Sequence, residues 1–281
     1  MLTHIIELPF AYRFDEAITR LSLDPLNSVD LANQTVRVPL DHSIITIKSI
    51  GSHREPKFIL TGIESEQQLQ RILSIFHFDR SLDAVHTHFI NTNLKDLFIK
   101  FEGTPIVTDY SLYANILKSI IHQQLNLSFA RTLTTRFVQT FGEQVEDVWV
   151  YPSADKIAAL EVDILRGMQF STRKAEYIIG ISRAIAQGEL ALETLANETD
   201  EIIIKKLTSY RGIGPWTAES FLLFGLGRDN LFPLGDIGLQ NSLKQLWNME
   251  QKPSKEEIIV HFESWSPYLS YASLYLWRNI E

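Results

Sequence analysis

The segment Leu207-Thr-Ser-Tyr-Arg-Gly-Ile-Gly-Pro-Trp-Thr-Ala-Glu-Ser-Phe-Leu-Leu-Phe-Gly does most to limit the folds open to this chain. It predicts a helix ending near Tyr210, a tight turn at Gly212-Ile213-Gly214, and a second helix. Pro215 starts that helix at a position where its missing N–H is harmless. Two glycines allow a close backbone approach to a partner. Unpaired amides at a helix start favour an anion such as a phosphate. Ile213 is placed to plug the space between the two helices. An ordinary helix–turn–helix corner would carry the same glycines, because short glycine motifs are frequent.

The next informative stretch is Leu231-Phe-Pro-Leu-Gly-Asp-Ile-Gly-Leu-Gln-Asn-Ser-Leu. It sets Asp236 just before a helix beginning at Ile237. Asp236 is at minimum an N-cap. The same geometry can also serve chemistry. A helix N-terminus favours the ionised carboxylate. A fixed anion beside an electron-deficient sugar carbon would stabilise an oxocarbenium-like transition state. It could also orient or activate a water.

The rest of the chain supplies a mostly α frame. Residues 1–82 read as a small α+β unit with an antiparallel sheet. Val36-Arg-Val-Pro-Leu, Ile44-Ile-Thr-Ile-Lys-Ser-Ile and Phe58-Ile-Leu-Thr-Gly are short β-rich runs. Leu69, Ile72, Leu73 and Phe76 share a helical face. Residues 83–281 read as helical to the end, in two subdomains with a cleft between them. Asp109 precedes an apolar run from Leu112 to Ile121. Gly142 stops a helix from Leu127 to Phe141. Ser171 caps a helix that Gly188 closes, and Ser254 with Glu257 has capping-box spacing.

Composition removes several classes of function. The chain has no cysteine, which excludes disulfides, thiolate zinc sites, cysteine nucleophiles and a cysteine-ligated iron–sulfur cluster. His86 and His88, an i,i+2 pair, would point to different faces of a helix, so no metal site is expected. No apolar run is long enough to span a membrane. The start of the chain does not read as a signal peptide, and a cytoplasmic monomer is expected. The net charge of −8 argues against nucleic acid when taken alone. Screening confines fields to about 8–10 Å, so a small positive cleft can still work in an acidic protein.

Taken together, Gly212-Ile-Gly-Pro-Trp-Thr-Ala and the later Asp236 resemble the helix-hairpin-helix DNA glycosylase superfamily, most closely its 3-methyladenine DNA glycosylase II branch. Three further stretches agree. Ser119-Ile-Ile-His-Gln-Gln-Leu-Asn resembles the segment that enters the minor groove at the flipped nucleotide. Leu165-Arg-Gly-Met-Gln-Phe-Ser-Thr-Arg-Lys-Ala-Glu-Tyr resembles the helix start before the hairpin. Trp265 to Trp277 resembles the C-terminal helix. The match is good from about Thr104 to Trp277 and weaker before it, although the branch carries a small α+β N-terminal unit.

The resemblance implies double-stranded DNA with alkylated bases as partner, no cofactor, and hydrolysis of the N-glycosidic bond of alkylated purines such as 3-methyladenine and 7-methylguanine. Asp236 matches the catalytic aspartate, and Gly212 and Gly214 match the hairpin glycines. Trp216 stands where superfamily members that also cleave the backbone carry a lysine nucleophile. A monofunctional enzyme with water as nucleophile is therefore expected. Trp216 would also offer a positively charged base an aromatic face. Trp277 is a second candidate for the pocket wall, with core packing as its alternative. Gln124 or Leu125 would fill the gap left by the flipped nucleotide, Leu125 being the more suitable as an apolar filler. Lys118, His122, Arg131, Arg173, Lys174, Arg211 and Lys244 surround these elements, and Arg211 is the leading candidate for a phosphate contact. Ser220 and Ile237 depart from aromatic positions of the branch, and Ile18 stands near where the N-terminal unit contributes a ring. A less aromatic pocket is expected.

Three rivals remain at this stage. One is a glycosylase for mismatched, deaminated or oxidised bases, which the absent lysine and absent cysteine disfavour in part. Another is a non-enzymatic helix-hairpin-helix DNA-binding protein, which would need no aspartate at 236. The most remote is an acidic helical enzyme or scaffold for small molecules.

Overall fold

The computed structural model describes residues 3–280. Its five-stranded sheet is antiparallel throughout, with β1 Thr3–Glu7, β2 Ser28–Asp30, β3 Thr35–Leu40, β4 Ser43–Ser49 and β5 Lys57–Thr61 in the order β1-β5-β4-β3-β2. Asp41 and His42 take positive φ angles, 49° and 65°, and join β3 to β4 as a two-residue hairpin. That turn fixes the register Val36↔Ile47 and Val38↔Ile45 and puts all four side chains on the buried face. The helices Phe14–Leu21 and Glu66–Phe76 supply further residues of the same core.

The three β-rich runs and the Glu66–Phe76 helix lie where the sequence suggests. The edge strands β1 and β2 and the helix Phe14–Leu21 are additions. Beyond residue 83 the chain is helical with one exception. Glu143–Val145 and Val148–Val150 form a two-stranded ribbon turned by Glu146 and Asp147, both at positive φ, so the expectation of helix to the end is corrected here. Gly142 does end the Leu127–Phe141 helix, and the ribbon then docks on the sheet. Arg37 of β3 donates to the Glu146 carbonyl at 2.6 Å.

Local caps set the helix boundaries. Ser111 caps Leu112–His122, and Ser171 caps Thr172–Ala186. Ser254 and Glu257 form a complete capping box. Two apolar cores result. One joins the sheet to Phe89, Phe98 and Val107 and to the C-terminal aromatics Trp265, Tyr271 and Tyr275. The other lies among the helices Leu112–His122, Leu127–Phe141, Thr172–Ala186 and Asp200–Thr208. The proposed division at 82/83 follows element type; the first core runs across it. Among the described residues no helix is long and apolar enough to cross a membrane.

Candidate active site

The hairpin is built from both sides. The helix Asp200–Thr208 ends, and Gly212 turns at φ +94°, a conformation that suits glycine. A Cβ on Gly212 would lie 2.2 Å from the Tyr177 ring, so this glycine is needed by the protein's own packing. Ile213 is buried between the helices, as expected. Gly214 then takes φ −98° and ψ 177° as the N-cap of Pro215–Ser220, and a Cβ there would meet nothing within 4 Å. Gln123 ties the preceding loop to the turn, donating from Nε2 to the Gly212 carbonyl and to Thr217 Oγ1, each at 2.9 Å. Lys174 closes the end of the Leu112–His122 helix by donating to the carbonyls of Ile121 (2.5 Å) and Gln123 (2.7 Å). Burial lowers its pKa to about 8. Lys174 is thus occupied by backbone.

The two wedge candidates divide. Gln124 is exposed, with φ +56°. Leu125 is half-buried and packs on the helical core. Arg211 is largely exposed beside the turn and pairs with Glu176 at 3.2 Å. Arg173 is exposed, and Lys244 half-buried, away from the cleft lining.

Asp236 is the N-cap of Ile237–Leu246. Its Oδ1 accepts from the Leu239 amide at 2.9 Å and from Trp277 Nε1 at 3.0 Å. Oδ2 receives no hydrogen bond from a described residue. Gly238 makes room for this arrangement. A Cβ there would stand 3.0 Å from Oδ1 and 3.3 Å from Trp277 Cδ1. Trp277 also rests on Phe224, with ring centroids 5.8 Å apart.

These groups open onto a cleft of about 520 Å³ that Trp216, Glu219, Ser220, Phe224, Asp236 and Trp277 all line. Trp216 is 45% exposed. Phe224, which the sequence reading passed over, belongs to a π-helical turn, Phe221–Gly225, that continues the hairpin's second helix. Glu219 was also missed. Burial pushes its carboxyl above the usual range, Lys255 opposes the shift, and the nearby Asp236 adds to it. The N-terminal unit reaches the cleft through Thr19, Arg20, Leu23 and Asp24. Ile18 does not; it is 0% exposed in the core. Ile237 is 62% exposed and lies outside the cleft lining. Ser220 is in it, and its Oγ lies 3.2 Å from Ser119 Oγ.

Charge in the cleft floor is largely neutralised within the protein. Asp109 contacts Lys118 at 2.9 Å and Arg20 at 3.5 Å, and Asn115 donates to it at 2.7 Å. Burial opposes the Asp109 charge, but these partners prevail and hold its carboxyl below the usual range. Arg20 also stands 4.2 Å over the Phe224 ring. Arg131 and His122 line the same cleft. Burial lowers the His122 pKa to about 4, with Lys118 adding to the shift. Among the described residues no group of three or more His, Asp or Glu side chains could hold a metal ion.

A glycine hairpin feeding an aromatic cleft with a helix-capping carboxylate defines a recognisable class. Residues 117–267 match the family described as HhH-GPD superfamily base excision DNA repair protein. Over 276 residues the chain is 50% identical to the Bacillus subtilis protein named "Putative DNA-3-methyladenine glycosylase YfjP", covering 96% of each. The solved 3-methyladenine DNA-glycosylase of Archaeoglobus fulgidus superposes with a TM-score of 0.81 at 25% identity, covering 98% of this chain and 97% of that one. The 3-methyladenine DNA glycosylase Mag1 of Schizosaccharomyces pombe, solved with abasic DNA, gives 0.59 at 26% identity over 69% of this chain and 94% of that one. The chain belongs to the HhH-GPD superfamily of base excision DNA repair proteins, in its DNA-3-methyladenine glycosylase family.

Proposed function

We propose that this protein is a monofunctional glycosylase that flips alkylated purines out of duplex DNA and hydrolyses their N-glycosidic bond. The carrying observation is the Asp236 carboxylate. Oδ1 is held by the Leu239 amide and the Trp277 indole, Oδ2 takes no hydrogen bond from a described residue, and Asp236 lines a cleft large enough for a base. In this reading Oδ2 lies beside the sugar and stabilises the developing oxocarbenium charge while a water adds to C1′. Trp216, Phe224 and Trp277 give the cleft aromatic faces. A cationic alkylpurine gains about 0.5–2 kcal/mol from such a face. The backbone amides after Gly214 hold a phosphate beside the lesion, and Gln124 is the better placed of the two wedge candidates because Leu125 packs on the core.

The amines near the site support water as the nucleophile. Trp216 occupies the position where a Schiff-base lysine would stand. Lys118 lines the cleft but is held by Asp109 at 2.9 Å, with Asp24 at 3.7 Å. Single-turnover excision from duplexes carrying 3-methyladenine or 7-methylguanine tests the proposal. Asp236→Asn is expected to lose more than about tenfold in rate, or about 1.4 kcal/mol of barrier. Its binding to abasic-site DNA should stay within about an order of magnitude, since a positioning contact is untouched. Borohydride should trap no enzyme–DNA adduct. A variant keeping more than a tenth of the wild-type rate, or a trapped adduct, overturns the assignment.

A further inference from the structure

Glu219 lies three residues after Trp216 on the Pro215–Ser220 helix, so the two side chains share a face, and both line the cleft. Its carboxyl is half-buried and makes no hydrogen bond or ion pair with a described residue. Two charged groups act on it electrostatically, Lys255 from the Lys255–Ile259 helix and Asp236 from the start of Ile237–Leu246. Several other charges of the cleft have partners of their own. Arg20 and Lys118 are bound to Asp109, and Arg278 is paired with Glu16. Of the four carboxyls that line the cleft, Asp24 and Asp109 are held by Lys118 and Arg20, which leaves Asp236 and Glu219 in unlike settings. Asp236 receives two donors; Glu219 receives none and is pushed towards its protonated form by burial. Such a difference is how a pair of carboxyls divides acid from base work.

We propose that Glu219 is the proton donor to uncharged purine bases bound in this cleft. The proposal rests on the reading of the cleft as a base pocket. A purine carrying a positive charge departs as a neutral molecule and needs no proton. A neutral purine would depart as an anion unless a ring nitrogen is protonated as the bond breaks. In the step proposed, the N9–C1′ bond breaks with its electron pair leaving on the base. The Glu219 proton is taken up at N7 or N3. Water supplies the hydroxyl at C1′, and its other proton passes to Asp236 and on to solvent. Solvent then reprotonates Glu219.

The test compares single-turnover excision of hypoxanthine, which is neutral, with that of 7-methylguanine, which is cationic. Wild type and Glu219→Gln are measured from about pH 5.5 to pH 9. The wild-type hypoxanthine rate should fall with rising pH as Glu219 loses its proton. Glu219→Gln should lower hypoxanthine excision enough to raise the 7-methylguanine to hypoxanthine rate ratio at least tenfold, and should abolish that alkaline fall. Equal losses on both bases would reveal a structural role and overturn the proposal. So would a wild-type enzyme that excises 7-methylguanine but never hypoxanthine. Failure on both bases by the wild type would instead overturn the base-pocket reading itself.

Discussion

Trp277 shows how one side chain can carry two tasks. The sequence suggests a pocket wall or core packing. The structure adds a donor, since its indole N–H reaches Asp236 Oδ1 at 3.0 Å while the ring rests on Phe224. Trp277→Phe separates the tasks by keeping a ring and removing the donor. A hydrogen bond to a charged acceptor is worth about 1.5–3 kcal/mol, so excision should slow about 10–100-fold. Thermal melting and abasic-DNA affinity should change little. If the phenylalanine variant excises 7-methylguanine at the wild-type rate, the indole does not position the carboxylate. The contrast with Ile18 is instructive at the same scale. A helical step turns a side chain by about 100°. The resemblance sets Ile18 near the pocket, whereas the Phe14–Leu21 helix buries it in the core and turns Thr19 and Arg20 to the cleft.

The hairpin's glycines look alike in sequence and differ in the fold. Gly212 is needed by the protein itself, through its positive φ and the Tyr177 ring. Gly214 has open space where a side chain would go, so whatever requires its smallness comes from outside. Gly212→Ala should lower the melting temperature, with backbone strain alone costing about 1–3 kcal/mol. Gly214→Leu should melt within a few degrees of wild type yet bind both lesion and undamaged duplexes at least tenfold more weakly. Normal duplex binding by that variant would make the hairpin only a corner. Elements with local punctuation were legible from the sequence: the hairpin, the Asp236 cap, Gly142, Ser171 and the Ser254 box all declare themselves within a few residues. Elements formed by distant partners were not. Strand β1 has a half-exposed side chain at every second position, β2 has three residues, and the Glu143–Val150 ribbon turns on Glu-Asp without a glycine. In the site, Asp236, Trp216 and Trp277 were marked by motif. Phe224, Glu219 and Arg20 reach the cleft through a π-turn, a shared helix face and tertiary packing, none of which leaves a short-range signature.

At the scale of the molecule, the N-terminal unit and the helical body are joined by buried polar groups, and these set its response to acid. Asp24 accepts from Tyr151 at 2.8 Å, and Arg20 meets Asp109 beside Lys118. His77 ends the Glu66–Phe76 helix in a left-handed conformation, with its ring packed where Gly227 leaves no room for a Cβ. Burial, reinforced by Arg80, lowers its pKa to about 3, and burial lowers that of His122 to about 4. Both histidines are therefore neutral in the folded protein at pH 5 and largely protonated in the unfolded chain, whose histidines titrate near 6.5. The unfolded state binds more protons between these values, so stability must rise with pH across the window from about 3–4 to 6.5. Each histidine contributes a slope of up to about 1.4 kcal/mol per pH unit there. Asp109, held below its usual range, acts in the same direction at lower pH. Urea unfolding at pH 7 and pH 5 should show a lower midpoint at pH 5. His77→Asn isolates one share of the effect, because asparagine tolerates the left-handed backbone without titrating. The smaller side chain will lower stability at both pH values, so the readout is the difference between them, which should shrink. An undiminished difference in His77→Asn would mean that His77 is protonated in the fold and that the acid response arises elsewhere.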